Sequence, residues 1–200
     1  LDTEVYSNTG GQASKSTPLG AVAKFASAGK PTAKKDMAMQ AIAYGSVYVA
    51  RVALGADPQQ TLRAFREAEA YPGPSLVIAY SHCIAHGYDL RNGLDQQYKA
   101  VHCGHWPLMR YNPVLADEGR NPFLLDSSKP DKTWREYTKL ELRYRMLAKA
   151  HPEEAERMLD LGQRQVERRY AEYAEMASRT AEDFAVDARM SQFAASSNRA

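Results

Sequence analysis

The sequence predicts an α/β fold, a parallel sheet with flanking helices, followed by an α-helical C-terminal extension. Three observations predict it. Residues 47–80 pass from a β-branched run through a capped helix to a second apolar run, which is one strand–helix–strand unit of a parallel sheet. Residues 1–18 read as a strand end, a glycine turn and a helix start. The last 70 residues hold 13 of the 26 Lys+Arg and 13 of the 24 Asp+Glu, with Gly162 as their one glycine and Pro152 as their one proline. That composition is helical, so the chain divides at 1–130 and 131–200.

Taken in order, Leu1, Thr3 and Val5 alternate as a strand does. Asn8 and the Gly10-Gly11 pair then let the backbone take positive φ and approach a ligand closely. Thr17 at an N-cap and Pro18 at N1 start a helix over 18–28, with Ala21, Val22, Phe25 and Ala26 at helical spacing and Gly29 as its stop. The basic stretch from Lys30 to Lys35 reads as a solvated connector, with a phosphate contact as the alternative. Asp36 caps a helix that turns Met37, Ala41 and Ile42 inward and closes at Gly45.

Val47–Leu54 is dense in β-branched and apolar residues, a strand. Asp57, Pro58 and Gln60 form a strong helix start, and Leu62, Phe65 and Ala68 supply the stripe expected to be buried. Ser75–Tyr80 is a continuous apolar run, the mark of a strand covered on both faces. Leu90, Leu94, Tyr98 and Val101 predict a helix over 90–102, and the segments around Trp106–Tyr111 and Phe123–Leu125 predict two short strands on an antiparallel edge. Trp134, Tyr137, Tyr144 and Leu147 mark one amphipathic helix. Pro152 opens another, with Leu159, Val166, Tyr170, Tyr173 and Ala177 as its stripe. These aromatic stripes read as packing surface for domains outside this chain or for a second subunit. Ala194 to Ala200 is expected to fray.

Composition excludes several classes. Net charge of +2 on 200 residues is too mild to indicate nucleic acid or an anionic membrane surface, and no apolar run reaches the ~20 residues of a membrane span. Two cysteines, Cys83 and Cys103, are too few for a disulfide framework, which points to a reducing cytoplasm. Gly10 to Ser16 ends in Lys-Ser, but Ser14 stands where a P-loop needs glycine, so the phosphate-cradling geometry fails. His82-Cys83-Ile84-Ala85-His86 is open to three readings on its residues alone: a small buried thiol, a Cys–His nucleophile pair, or a metal ligand. In a parallel sheet, ligands gather at the carboxyl ends of strands. Asn8 follows the first predicted strand and Cys83 the third, so both turns are expected on one rim.

The run LDTEVYSNTGGQASKSTPLGAVAKFASAGK, continued by AYSHCIAHG and GHWPLMRYNP, resembles the pyruvate:ferredoxin (flavodoxin) oxidoreductases. The first 130 residues or so would then be the C-terminal half of a thiamine diphosphate-binding domain. The resemblance implies oxidative decarboxylation of pyruvate with coenzyme A to acetyl-CoA and CO2. Electrons would leave through 4Fe–4S clusters to ferredoxin or flavodoxin, in a cytoplasmic homodimer without nucleic-acid or membrane partners. It further implies that Thr3 (side chain) and Val5 (carbonyl) bind Mg²⁺. Asn8 would face the thiazolium and substrate, Gly10 would line the cofactor turn, and Cys83 would be one of four cluster thiolates. Cys103 reads as structural. The family's upstream Gly-Asp-Gly, the cysteines completing the cluster and the glutamate that activates the cofactor have no counterpart here, so the chain reads as a C-terminal fragment or an excised domain. A relative acting on another 2-oxo acid, a pyruvate:NADP oxidoreductase, or a non-catalytic helical assembly module are the alternatives.

Overall fold

The computed structural model describes residues 1–184. Its centre is β1 (Tyr48–Val52), whose five residues are all buried. β2 (Ser75–Ala79) lies parallel to β1, in register from Tyr48 opposite Ser75 to Val52 opposite Ala79. On the other side β3 (Met109–Tyr111) runs antiparallel to β1, and β4 (Phe123–Leu125) antiparallel to β3, giving the order β2-β1-β3-β4. The strand–helix–strand unit and the antiparallel edge are therefore as the sequence predicts.

Alternation along β1 sorts its side chains to two faces. Tyr48, Ala50 and Val52 pack on Ala64 of α2 (Pro58–Ala70), while Val49 joins a larger cluster with Trp106, Met109, Phe123, Trp134, Tyr137 and Tyr173. α1 (Met37–Ile42) begins where the Asp36 carboxylate accepts the Met39 amide, and α2 where Asp57 accepts that of Gln60. The Gln60 side chain turns inward to the Arg51 carbonyl and Asp126. α3 (Gly93–His102) and the short α4 (Pro113–Asp117) follow. The C-terminal region is α5 (Trp134–Thr138), α6 (Leu142–Ala150) and the long α7 (Pro152–Ser178). Among the described residues no helix is long and apolar enough to cross a membrane.

Several expectations are corrected. Residues 1–5 form no strand: Asp2 alone bridges to Tyr80, because Glu4 takes φ +61° and turns the chain away. No helix covers 18–28, since Gly20, Phe25 and Gly29 all have positive φ and the backbone pairs locally, Gly20 N–H to Lys30 and Lys30 N–H to Ala21. Thr17 is not a cap there; it is buried and its hydroxyl donates to the Glu4 carbonyl at 2.6 Å. β2 is an edge strand with only Ile78 buried, so it is not covered on both faces. α2 buries Gln60 and Ala64 and exposes Leu62 and Phe65; α3 buries Gln96, Gln97, Ala100 and Val101 and exposes Leu94 and Tyr98. Met37 of α1 likewise faces outward.

Lys30 and Lys34, in the supposed solvated connector, are buried. Lys30 Nζ donates to the Thr17 carbonyl and Lys34 Nζ to Asp2 and the Ser16 carbonyl. The predicted helix through Trp134 and Leu147 is two, broken between Thr138 and Leu142. The aromatic residues of the two stripes do not await an outside partner: Trp134, Tyr137 and Tyr144, with Tyr173 of α7, are buried within this chain, and Tyr170 is half-buried. The stretch from Ala194 to Ala200 lies outside the described residues.

Candidate functional site

Two turns meet at the carboxyl end of β2. The first, Tyr6–Gln12, closes on itself: the Tyr6 amide donates to Gln12 O and the Gly11 amide to Tyr6 O. Gly10 and Gly11 sit at φ +103° and +84°, angles that strain any residue carrying a Cβ. The second is a single 3₁₀ turn over Ile84–His86 that follows Cys83. They are in contact, since a Cβ at Gly11 would stand 3.2 Å from that of Ala85. The chain start is stitched alongside, with the Asp2 amide donating to Ala79 O at 2.9 Å and the Ser81 amide to Asp2 O at 3.0 Å. His86 Nε2 reaches the Thr3 carbonyl at 2.8 Å. Burial, and then the nearby Arg143 charge, push the His86 ring toward its neutral form, in which Nε2–H donates to that carbonyl.

Thr3 and Val5 point oxygens at one place. The Thr3 hydroxyl donates to the Val5 carbonyl at 3.0 Å, across the kink at Glu4. Two such hard oxygens converging beside a glycine turn suit Mg²⁺ as part of its shell, and the resemblance assigns the third protein ligand to residues outside this chain. The space that a side chain at Gly10 would fill holds the Lys24 ammonium, whose Nζ lies 2.8 Å from an ideal Cβ there, so a cation already stands at the turn. Asn8 is exposed at the turn's tip. No helix N-terminus follows, and the positive charge at the turn is that of Lys24.

Cys83 is 8% exposed, and its Sγ accepts the Ala85 amide at 3.5 Å under the exposed Ile84. Among the described residues no three His, Cys, Asp or Glu side chains gather as a metal site, so Cys83 would contribute one ligand. Cys103 differs: it is buried among apolar neighbours, its Sγ lies against the Ala100 carbonyl, and burial pushes the thiol up to about 12.

Beneath the turns lies a charge cluster that sequence patterns did not reveal. The Glu4 carboxylate, with no exposed surface, accepts from His105 Nε2 at 2.7 Å and Arg143 Nη2 at 2.7 Å, with Lys34 Nζ 3.5 Å away. Burial alone would raise its pKa; His105, Lys34 and Arg143 outweigh that and hold it well below the usual carboxylate range. His105 is itself driven toward neutrality by burial, so it serves as a hydrogen-bond donor while Arg143 and Lys34 carry the charge. Arg143 also binds Glu141 at 2.6 Å, and Glu141 accepts from Gln96 at 2.9 Å. The one hint was a glutamate placed between two apolar-alternating positions. Its partners lie 101 and 139 residues away in the chain, beyond any local pattern.

No family model matches the chain. Individual proteins do. It is 54% identical over 179 residues to the pyruvate-flavodoxin oxidoreductase of Nostoc sp., and 51% identical over 179 residues to that of Klebsiella pneumoniae. Against the pyruvate:ferredoxin oxidoreductase of Moorella thermoacetica it is 50% identical over 177 residues. These alignments cover 90%, 88% and 88% of this chain, whereas the chain spans 15% of the length of each relative.

Proposed function

Because this chain belongs, as a segment, to the family of pyruvate-flavodoxin and pyruvate:ferredoxin oxidoreductases, we propose that it supplies part of the active centre of such an enzyme. The reaction is the oxidative decarboxylation of pyruvate with coenzyme A to acetyl-CoA and CO2, with flavodoxin or ferredoxin as acceptor. Thiamine diphosphate, when bound, supplies the electron sink. The chain's own residues bind and orient. The Thr3 hydroxyl and Val5 carbonyl would hold a Mg²⁺ ion, a hard cation that takes oxygen ligands and would supply positive charge for the diphosphate. Gly10, whose missing side chain makes room for the Lys24 ammonium, would line the cofactor turn. The Asn8 amide donates a hydrogen bond to the substrate oxygen on which negative charge develops. Cys83 is one of four thiolates holding a 4Fe–4S cluster whose other ligands lie outside this chain.

The observation that carries the reading is the contact between the two turns: the oxygens of Thr3 and Val5 converge at 3.0 Å, and the Cys83 turn is tied to Thr3 through His86 at 2.8 Å. Carbon chemistry and an electron outlet would thus be neighbours. A cytoplasmic homodimer belongs to the same reading. The rival, a helical assembly module, loses its support because the aromatic stripe meant for partners is buried within the chain.

The test uses the protein that carries this chain, at native length. Wild type is expected to reduce a viologen dye with pyruvate only when coenzyme A is present, and more slowly with 2-oxoglutarate. Cys83→Ser is expected to lose about four iron atoms per chain and the corresponding thiolate-to-iron absorption. Full iron content and undiminished dye reduction in Cys83→Ser would overturn the assignment.

A further inference from the structure

Glu4 lies between the two oxygen donors and is the strangest residue of the site. Its φ of +61° is in the left-handed region, which a residue with a Cβ enters only under constraint. In an extended chain the carbonyl of residue 5 would point along the sheet, away from the hydroxyl of residue 3. The kink at residue 4 swings them together. A glycine would give this angle more readily, yet here a long charged side chain occupies the position.

The reason is that Glu4 is held at every polar atom. Its amide donates to Asp2 Oδ1 at 2.9 Å, and its carbonyl accepts from the Thr17 hydroxyl at 2.6 Å. One carboxylate oxygen accepts from His105 and the other from Arg143, each at 2.7 Å, with Lys34 at 3.5 Å from the first. These partners come from the chain start, the buried basic loop, the segment after α3 and the first turn of α6. Strain kept in place by so many independent contacts is a mark of pre-organisation.

Resting on the reading of Thr3 and Val5 as Mg²⁺ ligands, we propose that Glu4 is the positioning residue of that site: its anchored side chain and left-handed backbone hold both oxygens in place before the cation arrives. It touches no substrate and acts only through its neighbours in the chain. Residues that orient metal ligands in this way typically alter metal affinity about 10–100-fold when replaced.

The experiment titrates Mg²⁺ calorimetrically into apo-protein of native length at fixed thiamine diphosphate, and repeats it with Mn²⁺ to record the electron paramagnetic resonance line shape. Both Glu4→Gln, which keeps the shape but not the charge, and Glu4→Gly, which keeps the angle but not the anchor, are expected to raise the Kd for Mg²⁺ about 10–100-fold. The bound Mn²⁺ lines broaden at saturation while circular dichroism stays that of wild type. A merely structural role lowers thermal stability and leaves Kd and line shape alone, so a folded Glu4→Gln binding within about twofold of wild type overturns the proposal. If Glu4→Gln does not fold, Lys34→Met, which removes the longest of Glu4's side-chain contacts together with the Lys34 bonds to Asp2 and the Ser16 carbonyl, decides on the same criterion, with a rise of about tenfold expected. Thr3→Val separates this proposal from its premise. Wild-type affinity in Thr3→Val shows that the ligand assignment itself is wrong, whereas loss there with normal binding in the Glu4 variants refutes the positioning role alone.

Discussion

Arg143 shows how much one buried side chain can be asked to hold. Its side chain is 1% exposed, it contacts Glu4 at 2.7 Å and Glu141 at 2.6 Å, and it donates to the Tyr137 hydroxyl at 3.2 Å. The guanidinium suits this task because its fork presents several donors in fixed directions, which a lysine ammonium cannot match. Removing one partner from a buried ion pair costs about 3–5 kcal/mol, because the remaining charge is left desolvated without compensation. Arg143→Leu leaves two carboxylates in that state, with only Lys34 and His105 near one of them. Chemical denaturation should therefore place Arg143→Leu about 3–5 kcal/mol below wild type, and a loss under about 1 kcal/mol would show that water reaches the cluster. Stability and site geometry are coupled here, since the same carboxylate anchors the residue between Thr3 and Val5.

At the scale of elements, what could be read in advance was local chemistry. Asp57-Pro58 announces α2 because capping is settled by atoms three residues apart, and β1 is legible in a run of β-branched and apolar side chains. Periodicity says which residues share a helix face but not where the core lies. Leu62 and Phe65 are the apolar stripe of α2, yet they are 46% and 54% exposed, while the inward positions carry Gln60 and Ala64. A polar Gln60 is tolerated inside because it reaches the Arg51 carbonyl and Asp126, and a small Ala64 because α2 lies close on β1. Leu62→Ser and Phe65→Ser should each change stability by about 0.5 kcal/mol or less, as exposed substitutions do, whereas a core stripe would lose several times that. Thermal unfolding of the two variants checks it. The loop over 18–28 departs from the predicted helix for a related reason: its backbone pairs outside the segment, the Val22 amide with the Arg143 carbonyl and the Gly20 amide with the Lys30 carbonyl, and no helical pattern reveals such partners. The turn at Gly10-Gly11 does approach that at Cys83 as the sequence predicts, although no strand precedes it: the bridge of Asp2 to Tyr80 is what brings it to the carboxyl end of β2.

The whole molecule is asymmetric about β1. On one flank β3 and β4 are sealed by α7, where Phe123 meets Tyr173 edge-on with ring centroids 5.5 Å apart. On the other flank β2 ends the sheet, and among the described residues its outer side is joined near its carboxyl end alone, where Asp2 bridges to Tyr80. The backbone amides and carbonyls of Ser75 and Val77 face outward there, since those of Pro74 and Tyr80 bond to β1, and they form a template on which another extended strand can pair. A preparation of these 200 residues alone should grow in mass with concentration, each copy recruiting the next along this border, and Ser75→Lys should slow that growth by placing a charge at the exposed entrance. Sedimentation velocity across a dilution series reports it, and a single invariant species would show that the border is inert. The flank whose carboxyl end carries the two turns of the site is thus also the adhesive one.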